Sequence, residues 1–165
     1  MKYLAALALT LAIALPLPAL AGTFPVPSED PVGTVSIPDS WEPKPYEGGV
    51  EGTSSDGGVY IAVEQVEAND VGSATEEGIK WFAKQGVELD GSSLKTQDMK
   101  INGLPAFDMA MKGKDKDGPT EVSLTLVGTN KPNKFLFVYF WGSAKGQKDN
   151  MGELSKIAES IQATK

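Results

Sequence analysis

The chain contains no cysteine, no histidine and no arginine; all 15 of its basic residues are lysines. Each absence removes chemistry. Without cysteine there is no disulfide, no thiolate nucleophile and no thiolate metal ligand. Without histidine there is no imidazole base and no Ser-His-Asp triad. Without arginine there is no bidentate clamp for phosphate or carboxylate. Positive balance is missing too, because 22 acidic residues against 15 lysines leave a formal charge of −7. A nucleic-acid binder needs a basic face, so that class is excluded. After residue 21 no apolar run approaches the roughly 20 residues a membrane-crossing helix requires.

What is present opens with an export signal. Met1-Lys2 gives a short charged start, Leu4 to Leu15 is apolar apart from Thr10, and Pro16 and Pro18 break the run. Ala19-Leu20-Ala21 is an A-x-A cleavage site followed by Gly22, which completes the three-part pattern of a secretory signal peptide. The apolar run is too short to span a bilayer of about 30 Å. Residues 1–21 are therefore expected to be cleaved after Ala21, leaving no stable membrane anchor. No cysteine follows that site for lipid attachment. The expected destination is the periplasm or the exterior. A mature chain of roughly 140 residues is long enough to bury one real core without disulfides.

Residues 22–32 hold Pro25, Pro27 and Pro31 and read as an extended lead-in; residues 33–163 read as a single domain. Val35 and Ile37 alternate as a short strand ending at Pro38, with a turn at Asp39-Ser40 and Trp41 beyond it. Residues 44–53 form a weak strand interrupted at Gly48-Gly49, and Ser54 to Gly58 is a hairpin loop. Val59, Ile61 and Val63 alternate with polar or smaller residues as a good strand. Ser73-Ala74-Thr75-Glu76 has the form of a capping box, predicting a helix over about 73–85. Its apolar stripe is Ile79, Phe82 and Ala83, with Gly78 allowing close approach and Trp81 beside it. Strands follow at Leu94–Ile101, at Phe107–Met111 after the hairpin signal Asn102-Gly103, and at Val122–Leu126. A continuous apolar strand then runs from Phe135 to Trp141, as central strands do. Met151, Leu154, Ala158 and Ile161 mark a second amphipathic helix over about 147–163. Short turns between neighbouring strands imply an antiparallel sheet of about six to seven strands covered by two main helices, an α+β fold.

Three stretches resemble the PsbP/DcrB-like superfamily. "SIPDSWEP" (36–43) joins a strand, a Pro-Asp turn and a tryptophan. "INGLPAFDM" (101–109) is similar to that family's hairpin, in which a Pro-Ala pair starts the next strand. "FLFVYFW" (135–141) is a strongly aromatic last strand leading into an amphipathic helix. The resemblance spans residues 33–163. It implies a small accessory domain of the kind found in thylakoid-lumen photosystem subunits, periplasmic lipoproteins, a nuclear GTPase-binding protein and chaperones for secreted effectors. It implies binding, not catalysis. The metal role proposed for photosystem members uses histidine and the lipoproteins use a lipidated cysteine; this chain has neither, so neither role carries over.

Other motifs are weaker than they look. Ser92-Ser93-Leu94-Lys95 matches S-x-x-K, but it follows an Asp90-Gly91 turn, enters a strand and has no K-T-G partner. Asp115-Lys116-Asp117-Gly118 lacks the carboxylate at position 1 and the Glu at position 12 of a calcium loop and reads as a hairpin turn. The glycines at 48, 49, 52, 57 and 58 fit no phosphate-binding pattern. Glu64 and Asp108 both fall on the less apolar faces of their strands, with Tyr60, Ser123, Thr125 and Tyr139. Were those strands neighbours, one polar-aromatic face would result. Trp81, off the main stripe of its helix, suits an interface.

The sequence thus predicts a non-catalytic binding or accessory protein. Tyr60, Glu64, Trp81, Asp108 and Tyr139 are its candidate binding residues, with no catalytic residue, metal ligand or cofactor assigned. The expected partner is another envelope protein or a small ligand. Two alternatives are a small hydrolase using Ser/Lys or paired carboxylates, and an envelope structural or inhibitor-type protein acting through acidic surface.

Overall fold

The computed structural model describes residues 21–165. The export signal expected over residues 1–21 lies outside the described residues except for Ala21. Ten strands and three helices follow in order: β1 (Ala21–Val26), β2 (Gly33–Pro38), β3 (Lys44–Tyr46), β4 (Gly49–Thr53), β5 (Val59–Glu67), α1 (Val71–Lys84), β6 (Glu88–Ile101), β7 (Leu104–Asp115), β8 (Gly118–Gly128), β9 (Lys134–Gly142), α2 (Ala144–Asp149), α3 (Met151–Ser160) and β10 (Gln162–Ala163).

Seven strands form one sheet in the order β3-β4-β5-β9-β8-β7-β6, and every neighbouring pair is antiparallel. The aromatic strand β9 sits at its centre. The hairpins obey their turn residues. Asn102 and Gly103 take positive φ (47° and 82°) between β6 and β7, as a two-residue Asn-Gly turn requires. Asp115 Oδ1 accepts from the backbone N–H groups of Asp117 and Gly118 at the next turn.

A second, three-stranded sheet has the order β1-β2-β10, where one sheet alone was expected. The lead-in of 22–32 contributes strand β1, which pairs with β2 from Ala21↔Pro38 to Val26↔Gly33. Pro25 is tolerated there because β1 is an edge, where a missing N–H costs no ladder bond. Val26, Val35, Ile37 and the fully buried Trp41 pack from this side against Val50, Ile61, Val63 and Leu136, with Ile157 of α3 and Ile161 beside them. The other face of the large sheet carries a second core, in which Phe82 of α1 meets Val122, Leu124 and Phe137.

Helix α1 begins at Val71, two residues before the predicted capping box, because β5 passes into it through a single 3-10 turn (Ala68–Asp70). Ser73 lies inside the helix, and Thr75 Oγ1 donates instead to the Val71 carbonyl at 2.8 Å. The helix buries Gly78 and Phe82, while Ile79 is exposed. A Cβ on Gly78 would stand 3.0 Å from both Leu124 and Tyr139 side chains, so the missing side chain sets how closely α1 lies on the sheet. The C-terminal helix predicted over 147–163 is divided at Asn150 into α2 and α3 and stops at Ser160. The chain then turns extended, and β10 pairs with β2.

Candidate functional site

Residues directly opposite in an antiparallel ladder share a face, so register decides which side chains meet. Tyr60, Ala62 and Glu64 of β5 stand opposite Trp141, Tyr139 and Phe137 of β9. On the other side of β5, Glu51 of β4 stands opposite Ala62, and Tyr46 of β3 opposite Gly49. All of these point to the face that carries α1. The helix covers the middle of that face and leaves the β3-β4-β5 end open. There a cavity of about 730 Å³ is lined by Tyr46, Glu51, Tyr60, Ala62, Glu64 and Tyr139 from the sheet and by Glu77, Lys80, Trp81 and Lys84 from the helix. Its size falls within the roughly 300–1,000 Å³ of small-ligand sites.

The chain has four tyrosines, and Tyr3 lies outside the described residues; the other three all line this cavity. Their hydroxyls donate to its carboxylates. Tyr139 Oη donates to Glu64 Oε1 at 2.6 Å and Tyr46 Oη to Glu64 Oε2 at 3.1 Å. Tyr60 Oη donates to Glu51 Oε2 at 2.9 Å. Burial, followed by the hydrogen bond and charge of Glu64, raises the Tyr139 phenol well above its ordinary value. Burial and then the charge of Glu64 do the same at Tyr46. At Tyr60 the causes are burial and the Glu51 hydrogen bond. All three phenols hold their protons because losing one would bury a phenolate and set it against a carboxylate.

Trp81 is the hinge of the aromatic cluster. Its ring stacks on Tyr60 with centroids 5.0 Å apart at 28°, and meets Tyr139 and Trp141 edge-on at 6.4 Å. Trp141 is anchored in turn by its indole N–H, which donates to Asp115 Oδ2 at 3.1 Å.

Four of the five sequence-predicted residues, Tyr60, Glu64, Trp81 and Tyr139, therefore share one cavity. Asp108 does not. In the ladder Asp108 stands opposite Thr125, which stands opposite Val138 and then Val63. That row is one residue out of step with the row containing Glu64, and a one-residue step changes face. Asp108 and Ser123 with it lie across the sheet, where Thr125 Oγ1 donates to Asp108 Oδ1 at 2.7 Å. The paired-carboxylate arrangement thus fails, since the two acids face different sides. The Ser/Lys arrangement fails as well. Ser92 Oγ donates to Asp90 Oδ1 and Ser93 Oγ to the Asp90 carbonyl, both at 2.6 Å, and neither meets a lysine ammonium. Sequence reasoning missed Tyr46, Glu51 and Glu77. The signal available for the first two was period-2 alternation on β3 and β4, obscured by the glycines around them.

No family model matches the chain, and no curated protein matches it in sequence. Solved structures do match in fold. The cyanobacterial PsbP (CyanoP) of Synechocystis sp. PCC 6803 superposes with a TM-score of 0.55 at 13% identity, over 96% of this chain and 99% of that one. LpqN of Mycobacterium tuberculosis, described as involved in cell envelope biogenesis, superposes with a TM-score of 0.54 at 15% identity, over 88% and 92%. A protein of Bacteroides thetaiotaomicron gives 0.53 at 16% identity over 87% of this chain and 48% of that one. The chain therefore shares the fold of CyanoP and LpqN, an α+β fold of the kind the three sequence stretches implied. Its aromatic-acidic cavity lies on the helix-covered face of that fold, at the edge the helix leaves open.

Proposed function

We propose that the protein is an exported, non-catalytic binding protein of the envelope or periplasm, and that the cavity of Tyr46, Tyr60, Glu64, Trp81 and Tyr139 is where it takes its ligand. One observation carries the reading: every tyrosine of residues 22–165, together with Trp81 and three carboxylates, converges on one half-open cavity. Such a constellation binds better than it reacts. Both oxygens of Glu64 are already engaged by phenols, so this carboxylate is held as a fixed acceptor rather than poised to shuttle a proton. Aromatic walls with a few oriented polar groups are the usual composition of a recognition site. CyanoP and LpqN share the fold, and the involvement of LpqN in cell envelope biogenesis agrees with an exported role.

Nuclear magnetic resonance screening of the mature protein (22–165) against a mixed small-molecule library tests the site. Shifts gathering on Tyr46, Tyr60, Ala62, Glu64, Trp81 and Tyr139 support it. Shifts gathering on another surface, or turnover of a library member that Glu64→Gln abolishes, overturn it. N-terminal sequencing of the protein recovered from its native envelope fraction tests export: a start at Gly22 is expected, and an intact Met1 start in the cytosol refutes it.

A further inference from the structure

Resting on that reading, we infer that the cavity takes a small organic cation, with its ammonium group set against Glu64 and Glu51 and its carbons against the aromatic rings. The inference comes from the hydrogen-bond inventory of the sheet side of the cavity. Its three hydroxyl protons are all committed, two to Glu64 and one to Glu51. What the hydroxyls and carboxylates leave for a ligand is lone pairs, and lone pairs accept. Against the sheet wall an anion would find only acceptors and negative charge, and its charged donors would be Lys80 and Lys84 of the helix alone. A cation loses its water but gains carboxylate oxygens and ring faces, whose quadrupoles attract positive charge. A phenol that donates to a carboxylate is itself polarised by it, which makes Tyr46, Tyr60 and Tyr139 richer partners for a cation than free phenols.

The helix wall carries both signs of charge. Glu77 adds a third carboxylate, while Lys80 and Lys84 oppose it. Lys80 is drawn to Glu76 at 3.5 Å, so Lys84 is the lysine that most directly weakens cation binding here. That assignment gives a test of sign as well as of size.

Titration calorimetry with choline and with putrescine measures the affinity, with glutarate and glucose as the anionic and neutral controls. Either cation is expected to bind with a Kd below about 1 mM and to weaken as salt is added. Glu64→Gln is expected to weaken binding about tenfold. Should that variant fail to fold, two variants on the exposed helix surface carry the same question. Glu77→Gln should weaken binding about twofold, and Lys84→Gln should strengthen it about twofold, as expected for partly screened charges. Failure of both cations to bind the folded protein overturns the inference, and so does affinity unmoved by all three substitutions. Binding of a lysine-rich peptide without binding of either free cation overturns it in favour of a protein partner. Glutarate or glucose shifting the cavity resonances while the cations do not removes the cation and leaves the binding site itself intact.

Discussion

Asn150 donates through its side-chain amide to both carboxylate oxygens of Asp56, at 3.2 Å each, tying the β4–β5 turn to the joint between α2 and α3. The same carboxylate accepts from Ser54 Oγ at 2.6 Å and from the Gly58 N–H at 3.0 Å. These bonds, Ser54 first and then Gly58 and Asn150, hold the Asp56 carboxyl down to about 2. The unfolded value is about 3.9. A lowered folded value means stability that is present above about pH 4 and lost as pH falls through about 2. Asp56→Asn should lower the urea midpoint at neutral pH and flatten its fall between about pH 4 and 2. A wild-type-like acid limb in that variant would contradict the account.

Two glycines in the same region should respond in opposite directions to alanine. A Cβ at Gly146 would stand 2.1 Å from the Gly58 carbonyl oxygen, a backbone atom that cannot swing aside. Gly146→Ala is expected to cost about 1–3 kcal/mol, as overpacking does. Gly152, in the first turn of α3, has no atom within 4 Å of its added Cβ and no positive φ. Gly152→Ala should gain about 0.4–1 kcal/mol by restricting the unfolded chain. Thermal unfolding of the two variants side by side checks both signs.

Trp41 is fully buried, and its indole N–H donates to Glu153 Oε2 at 2.8 Å, joining the turn after β2 to α3. Removing the acceptor leaves a buried donor unpaired, so Glu153→Leu should cost about 1–3 kcal/mol. Glu153→Gln keeps a carbonyl acceptor and should cost less than about half of that. Equal losses in the two variants, read by denaturant unfolding, would mean that the hydrogen bond is not what Glu153 supplies.

The alternating strands and the Asn102-Gly103 turn were legible because period-2 patterning and positive-φ turn residues are local signals. Trp81 was legible as a residue beside the helix stripe, and Tyr60, Glu64 and Tyr139 as polar or amphipathic residues on inward strands. What local signals do not carry is the pairing of β5 with β9, which brings residues 75 positions apart into one hydrogen bond between Tyr139 and Glu64. That register put Asp108 on the opposite face. The same non-local pairing recruited the proline-bearing segment of β1 into a sheet, and packing at Asn150 divided a helix that periodicity alone would run on.

Tyrosine absorbance isolates the candidate site, because all three tyrosines of residues 22–165 belong to it. An ordinary tyrosine titrates near about 10, but burial raises each of these phenols first, with Glu64 acting further on Tyr46 and Tyr139 and Glu51 on Tyr60. A raised folded value means stability that is full below about pH 10 and is lost as pH rises beyond it. The folded protein should therefore show almost no phenolate absorbance near about pH 10–11, where free tyrosine is half or more ionised. Absorbance should then appear in one step together with alkaline unfolding. Glu64→Gln removes the charge facing Tyr46 and Tyr139, so in that variant two of the three phenols should ionise earlier while Tyr60, held by Glu51, lags. Three phenols that titrate near about 10 in the folded wild-type chain would show that the carboxylate-held cluster does not form, and the binding site built on it would fall with it.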